Sequence, residues 1–207
     1  SKGISVIKGE IIVDEDMFTD TGQCPQWVIE DTGWDYGAGF YGFNYKNNTF
    51  RLYTESLTTV PEVPYIDVIV DRTASGTDIE RGVNSDLYIV SGRNVENKNF
   101  CITTTMNSPS TVFIYNLRNR LLKEGIVVED NIIESCESET SLLKYKSPVN
   151  TDMLRVMMFK SDNMMAEATL RALAPGQNRD AAIKKELAFW KSCGVSTDFI
   201  KIADGSG

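Results

Sequence analysis

Apolar and polar residues alternate through the first half of the chain and take on helical spacing in the second. TFRLYTESL (49–57), YIDVIVDRT (65–73), SDLYIVSGR (85–93) and NFCITTTM (99–106) are rich in β-branched and aromatic residues and bounded by turn formers. They predict consecutive strands in an antiparallel meander. ISVIKGEIIV (4–13) predicts two short strands around Lys8-Gly9, and a loop rich in Gly, Asp and Trp runs from Thr19 to Gly42. After Pro109 the period changes. STVFIYNLRNRLLKEGI predicts a helix over about 110–124, with Ser110 placed to cap it and Gly125 to stop it. VVEDNIIES predicts a short strand, and DFIKIADGSG a strand running into a Gly-rich turn. Between them, helices are expected at about 151–160, 163–173 and 180–192. The fold class is therefore α+β. A mixed or antiparallel sheet body with one packed helix fills 1–149, with 55–98 as a candidate sub-lobe, and a helical tail fills 150–207.

Composition narrows the chemistry. The 207 residues are 42% hydrophobic and 24% charged, an ordinary globular balance. The net charge of −8, with no local Lys/Arg cluster, argues against nucleic acid as a partner. No window is long and apolar enough for a transmembrane segment, and no signal peptide opens the chain. Cys24, Cys101, Cys136 and Cys193 lack ligand spacing, and there is no histidine. That removes Ser–His–Asp and Cys–His catalysis and disfavours zinc; no metal or cofactor is expected. A hydrolase built on this chain needs another kind of base.

One stretch breaks its own pattern. In MFKSDNMMAEATLRAL (158–173), Ser161, Asp162 and Asn163 interrupt an otherwise apolar, helix-prone run. On the triplet alone, Ser161 reads first as a helix N-cap. The other reading is an active-site corner, because Ser-x-Asn is the second of three motifs (S-x-x-K, S-x-N, K-T-G) of penicillin-binding proteins and serine β-lactamases. In those proteins a lysine rather than a histidine activates the nucleophilic serine.

The surroundings favour the second reading. SPVNTDMLRVMMFKSDNMMAEATLRALA resembles the second-motif segment of class C penicillin-binding proteins, the D-alanyl-D-alanine carboxypeptidase/endopeptidase family, and the terminal IADGSG resembles a later strand of that family. GISVIKGEIIVDEDMF, WVIEDTGWDYGAGFYGFNYKNNTFRLY and NFCITTTMNSPSTVFIYNLRNRLLKEGI are similar to its hairpin, loop and strand–helix elements, in order. The resemblance implies that Ser161 relays protons between the first-motif lysine and the departing amine. It implies that Asn163 hydrogen-bonds the substrate amide and holds that lysine. It places Asp31 against the free amino end of the stem peptide's diamino acid, with Tyr36 packing beside that side chain. Read without it, Asp31 is an Asx-turn residue and Tyr36 a core aromatic. Trp27 and Trp34 read as packing residues, Lys160 as a supporting residue, and Asp162 as a cap.

The first and third motifs are not recognisable. The strings Ser5–Lys8 and Ser141–Lys144 fit S-x-x-K but lie in strand-like stretches, and K-T-G is absent. The expectation is an internal, inactive piece of a periplasmic hydrolase whose partners are peptidoglycan stem peptides and β-lactams. A helical tail exposing Met157, Met158, Met164, Met165 and Trp190 is expected to favour dimerisation. The rival expectation is a non-catalytic module that binds peptidoglycan or a protein.

Overall fold

In the computed structural model, which describes residues 3–129, 141–147 and 150–207, the strands form three small sheets rather than one meander. β1 (Val6–Lys8) runs parallel to β8 (Val127–Glu129). β2 (Thr49–Tyr53) is the centre of an antiparallel sheet between β3 (Thr58–Val60) and β7 (Cys101–Thr105). β6 (Leu87–Ser91) is the centre of the third sheet. β4 (Asp67–Asp71) runs parallel to it on one side, and β5 (Asp78–Arg81) antiparallel on the other. The mixed α+β class holds, but the simple meander does not, because β4 and β6 run in the same direction.

Two strands escape a reading based on apolar alternation. The expected strand at 49–57 turns after Tyr53 and returns as β3, with Leu57 at a φ of 51°. TDIER carries one aliphatic residue, yet it forms β5 because Arg81 serves as its second inward side chain. The Arg81 guanidinium is satisfied there, donating to Thr105 Oγ1 at 3.0 Å and to the Ser85 carbonyl at 3.1 Å. Other expectations are also corrected. Residues 10–13 form no strand, and neither does DFIKIADGSG, which opens on a turn at Asp198–Phe199 and ends in a bend at Gly205. The VVEDNIIES strand is described only over Val127–Glu129; residues 130–140, including Cys136, lie outside the described residues.

The core follows from alternation. Phe50 and Leu52 from β2, Ile79 from β5, Tyr88 and Val90 from β6 and Ile102 from β7 are buried together with Val95, Met106 and Val112. This cluster unites the second and third sheets, so segment 55–98 shares its apolar interior with strands on either side of it. Tyr88, buried against Phe50, donates its hydroxyl to the Thr105 carbonyl at 2.8 Å, as a buried phenol must.

α1 (Pro109–Lys123) begins with Pro at its first position and Ser108, not Ser110, as the N-cap residue. Ser110 lies inside the helix and donates to Glu15 at 2.9 Å. Gly125, at a φ of 78°, ends the helix while Ile126 N–H reaches back to the Leu121 carbonyl at 2.9 Å. α2 (Asn150–Lys160), α3 (Asn163–Arg171) and α4 (Arg179–Ser192) form the helical tail. α3 is the helix that docks. Its buried face is Met164, Glu167, Leu170 and Arg171, and Met164 packs with Phe18, Ala38 and Phe40. The expectation of a uniformly exposed methionine patch is thus corrected: Met164 is buried, whereas Met158 and Phe159 on α2 are 73% and 84% exposed. Among the described residues, no helix is long and apolar enough to cross a membrane.

Buried charge locks α3 in place. Glu167, with no exposed surface, accepts from Arg171 Nε at 3.2 Å, Arg179 Nε at 3.3 Å and Gly205 N–H at 2.7 Å. Arg171 also pairs with Asp20 and lies 4.8 Å from the Phe40 ring centroid. Three segments, α3, the start of α4 and the turn at Gly205, therefore meet at one carboxylate, and Arg171 ties in a fourth at Asp20. The approach is close: a side chain at Gly205 would bring its Cβ to 2.6 Å from the Ala166 carbonyl.

Candidate active site

The Ser161–Asn163 corner is a helix junction with both ends capped. Asp162 N–H donates to the Met157 carbonyl at 3.1 Å, the six-to-one bond of a Schellman ending, which puts Ser161 at the residue after the C-cap. Ser161 has a φ of 50°. That position favours glycine or asparagine, and a serine there costs about 1 kcal/mol. Asp162 also begins α3: its Oδ1 accepts from Met165 N–H at 2.8 Å, an N-cap bond. Asp162 is the cap and Ser161 the exposed corner, the reverse of the bland assignment.

A second loop faces this corner. Asp31 lies in a 3-10 turn over Ile29–Gly33, and Tyr36 in another over Asp35–Gly37. Threonines of β7 hold the loop to the sheet. The Thr104 hydroxyl donates to the Gly33 carbonyl at 2.6 Å, and the Thr105 hydroxyl donates to the Thr32 carbonyl. Thr32 donates in turn to Gln23 Oε1 at 2.7 Å. Gly37 permits the tight fold, since a Cβ there would lie 1.9 Å from the Asp31 carbonyl oxygen. Trp34 stacks on Tyr36 with ring centroids 6.4 Å apart and planes 6° from parallel. Trp27 does more than pack, because its Nε1 donates to Asp204 Oδ2 at 3.2 Å.

The two halves are joined by hydrogen bonds. Asn163 Nδ2 donates to the Tyr36 carbonyl at 3.0 Å, and the Tyr36 hydroxyl donates to Asp31 Oδ1 at 3.1 Å. A cleft of about 220 Å³ lies between them. Lys160, Ser161 and Asn163 line one wall, and Asp35, Tyr36, Asn47 and Thr49 line the other. Asp31 lies on a neighbouring groove of about 660 Å³ whose walls also carry Glu30, Asp78 and Glu80, with Arg81 as their one cation among the described residues. The Tyr36–Asp31 bond connects a polar cleft to this acid-walled groove. Partial desolvation, and after it the bond to the Asp31 carboxylate, raise the Tyr36 hydroxyl above the usual phenol range; like any phenol it is a donor at neutral pH. Among the described residues, no group of His, Cys, Asp or Glu could hold a metal ion.

The structure places Ser161, Asn163 and Tyr36 on one cleft, and Asp31 on the neighbouring groove, joined to them through the Tyr36 hydroxyl. Sequence reasoning missed Asp35, Asn47 and Thr49. The only signal for them was their place in the Asn- and Gly-rich loop that resembles the family. It also missed the Glu167 network, although Glu167 stands in the quoted MMAEATL segment.

The fold is similar to that of a solved penicillin-binding protein. The chain superposes on penicillin binding protein 4 (dacB) from Haemophilus influenzae with a TM-score of 0.74 and 21% identity, covering 99% of this chain and 50% of that one. Against the same protein complexed with a novel beta-lactam (CMV), the TM-score is 0.56 at 19% identity, over 80% of this chain and 44% of that one. The family is settled by sequence: residues 1–207 match the D-Ala-D-Ala carboxypeptidase 3 (S13) family, and the chain belongs to it. It spans about half the length of these solved relatives. No curated protein matches it.

Proposed function

We propose that the protein is a serine-type D-Ala-D-Ala carboxypeptidase and endopeptidase. It hydrolyses peptidoglycan stem peptides in the periplasm through an acyl-enzyme, and penicillins acylate the same serine. This chain supplies one wall of the cleft and the recognition loop. Supporting the reading is a single observation: Asn163, Tyr36 and Asp31 are hydrogen-bonded in series, with Ser161 on the same cleft as Asn163 and Tyr36 and Asp31 on the groove next to it.

Each group has a chemical part. Ser161 sits in a backbone conformation that glycine fills more cheaply, so the position is kept for its hydroxyl, which can accept a proton from one partner and donate one to another. It is the relay between the activating lysine and the departing amine. Asn163 spends its Nδ2 on the Tyr36 carbonyl, which leaves Oδ1 to accept the substrate's amide N–H. Asp31, on the groove with three further carboxylates, suits the ammonium end of a diamino-acid side chain, and Tyr36 fixes its rotamer.

The nucleophile and its lysine are assigned to chain outside these 207 residues. A Ser–Lys pair of this type needs a helix start that stacks the lysine one turn beyond the serine. Ser5–Lys8 ends in β1, and Ser141–Lys144 is irregular. The division at 149/150 follows the same reading: the tail from Asn150 belongs to the catalytic domain, and the β-rich region before it is an insertion. Self-association through the exposed apolar face of α2 is part of this proposal for the chain in isolation.

A fluorescent penicillin is expected to label the full-length protein covalently and to leave the isolated 207 residues unlabelled. Labelling of the isolated chain would move the nucleophile to Ser5 or Ser141. A full-length protein that neither labels nor releases D-alanine overturns the proposal.

A further inference from the structure

Lys46, Asn47 and Asn48 stand at φ values of 56°, 55° and 54°, three consecutive non-glycine residues in the left-handed region. Single asparagines visit that region readily, but a run of L-residues does not, and such a run persists only where its surroundings over-determine it. Here they do. Asn48 is fully buried. Its Oδ1 accepts from Tyr45 N–H at 2.9 Å, and its Nδ2 donates to the Gly39 carbonyl at 2.8 Å and to Asn44 Oδ1 at 2.6 Å. Its own carbonyl accepts from Met106 N–H at 2.7 Å, just past the end of β7.

The strained turn delivers one group to the cleft. Asn47 Nδ2 donates to Asp162 Oδ2 at 2.9 Å, across 115 residues of sequence. The Asp162 backbone N–H is already committed to α2 and its Oδ1 to α3, so Asn47 supplies the third tie that fixes this residue. Ser161 and Asn163 flank Asp162 directly. The Asn47–Asp162 bond is solvent-exposed, and an exposed bond of that kind adds little to stability. Asn48 holds the turn, and the turn carries Asn47 to Asp162; because that bond stabilises so little, what it contributes is placement of Asp162 rather than folding.

We infer that Asn47 is a positioning residue for the reaction: acting through Asp162, it sets the directions of the Ser161 hydroxyl and the Asn163 amide, and the left-handed turn at 46–48 serves to place it. The inference rests on the reading of Ser161 and Asn163 as working groups of the cleft.

The test uses the full-length protein, with D-alanine release from a D-Ala-D-Ala peptide and the rate of fluorescent-penicillin acylation as readouts. Asn47→Gly keeps the left-handed backbone and removes the amide. Asn47→Asp sets a carboxylate against Asp162. The exchange Asn47→Asp with Asp162→Asn restores the bond with donor and acceptor reversed, and asparagine caps a helix as well as aspartate does. Each single Asn47 variant is expected to lower kcat and the acylation rate by about tenfold, with KM changing by less than about twofold. The exchange is expected to recover activity to within about threefold of the parent. Unchanged kcat in both single variants overturns the inference. So does a loss that follows the folded fraction in thermal unfolding and is not rescued by the exchange. Ser161→Ala and Asn163→Ala separate the two failures. If they abolish activity while the Asn47 variants do not, Asn47 alone is misassigned. If they retain full activity, the reading of the cleft falls and the inference with it.

Discussion

The side-chain amide of Asn163, the first residue of α3, donates to the main-chain carbonyl of Tyr36 at 3.0 Å across 127 residues of sequence. This bond ties the helix corner to the loop that carries Asp31 and Tyr36, and fixes which end of the Asn163 amide faces the cleft. Asn163→Ala removes both the tie and the acceptor. In the full-length protein it is expected to lower kcat/KM for D-Ala-D-Ala peptides by about 100-fold, the scale of losing one preorganised polar group. Stability should fall by only about 1 kcal/mol, because the bond is exposed. Steady-state kinetics and a melting curve on the same preparation check both parts.

Tyr36→Phe addresses the other end of the series. It deletes the donor to Asp31 Oδ1 and keeps the ring stacked on Trp34. Asp31 then loses its fixed rotamer but not its charge. kcat/KM should drop by about tenfold for a stem peptide bearing a free side-chain ammonium, the scale of one hydrogen bond to a charged group. A β-lactam without a cationic side chain should acylate at the parent rate. Equal losses on both substrates would show that Tyr36 shapes the cleft as a whole rather than the ammonium site.

The sequence made some of this legible and hid the rest, for identifiable reasons. Ser161 to Asn163 stood out because three polar residues broke a helical apolar period, and a break of that kind must be a cap, a turn or a site. β2, β6 and β7 were visible because Phe50, Leu52, Tyr88, Val90 and Ile102 keep strict alternation. β5 was not, because its inward pair is Ile79 and an arginine, and burial of Arg81 depends on partners at Ser85 and Thr105 that local pattern does not reveal. Asn47 was hidden for a deeper reason. Its role follows from a backbone conformation imposed by the burial of its neighbour Asn48, and composition specifies neither the conformation nor the burial. Long-range polar contacts such as Asn163 to Tyr36 belong to the same class.

Glu167 sets a test of the buried network. It holds Arg171 and Arg179, but Arg171 keeps Asp20 when Glu167 is removed, whereas Arg179 loses its carboxylate partner and, among the described residues, already has a buried Nη2 without one. Glu167→Leu should destabilise by about 3 kcal/mol, the scale of leaving a buried charge uncompensated. Glu167→Leu combined with Arg179→Leu should be less damaging than the single change, because both charges then leave together. Chemical denaturation of the two variants decides the matter; a double variant weaker than the single would mean that Arg179 has a partner of its own.

Asp204 links stability to acid. Burial pushes its pKa up, but hydrogen bonds from Gly207 N–H, from the hydroxyl and N–H of Ser206, and from Trp27 Nε1 outweigh burial and hold the carboxyl below its ordinary value of 3.8. A carboxylate depressed in the folded state binds its proton more readily when unfolded, so its contribution is complete above pH 4 or so and is lost as pH falls through the lower folded value. Asp204→Asn should therefore cost about 1 kcal/mol at neutral pH, a figure kept small because the group is partly exposed. The variant and the parent should converge in stability once pH has fallen through the lowered folded-state value. The turn at Asp204 also presents Gly205 N–H to Glu167, so loosening it should raise hydrogen exchange at Gly205 before α3 responds. A stability difference that stays constant as pH falls through that value would show that the turn is held by packing and not by this carboxylate.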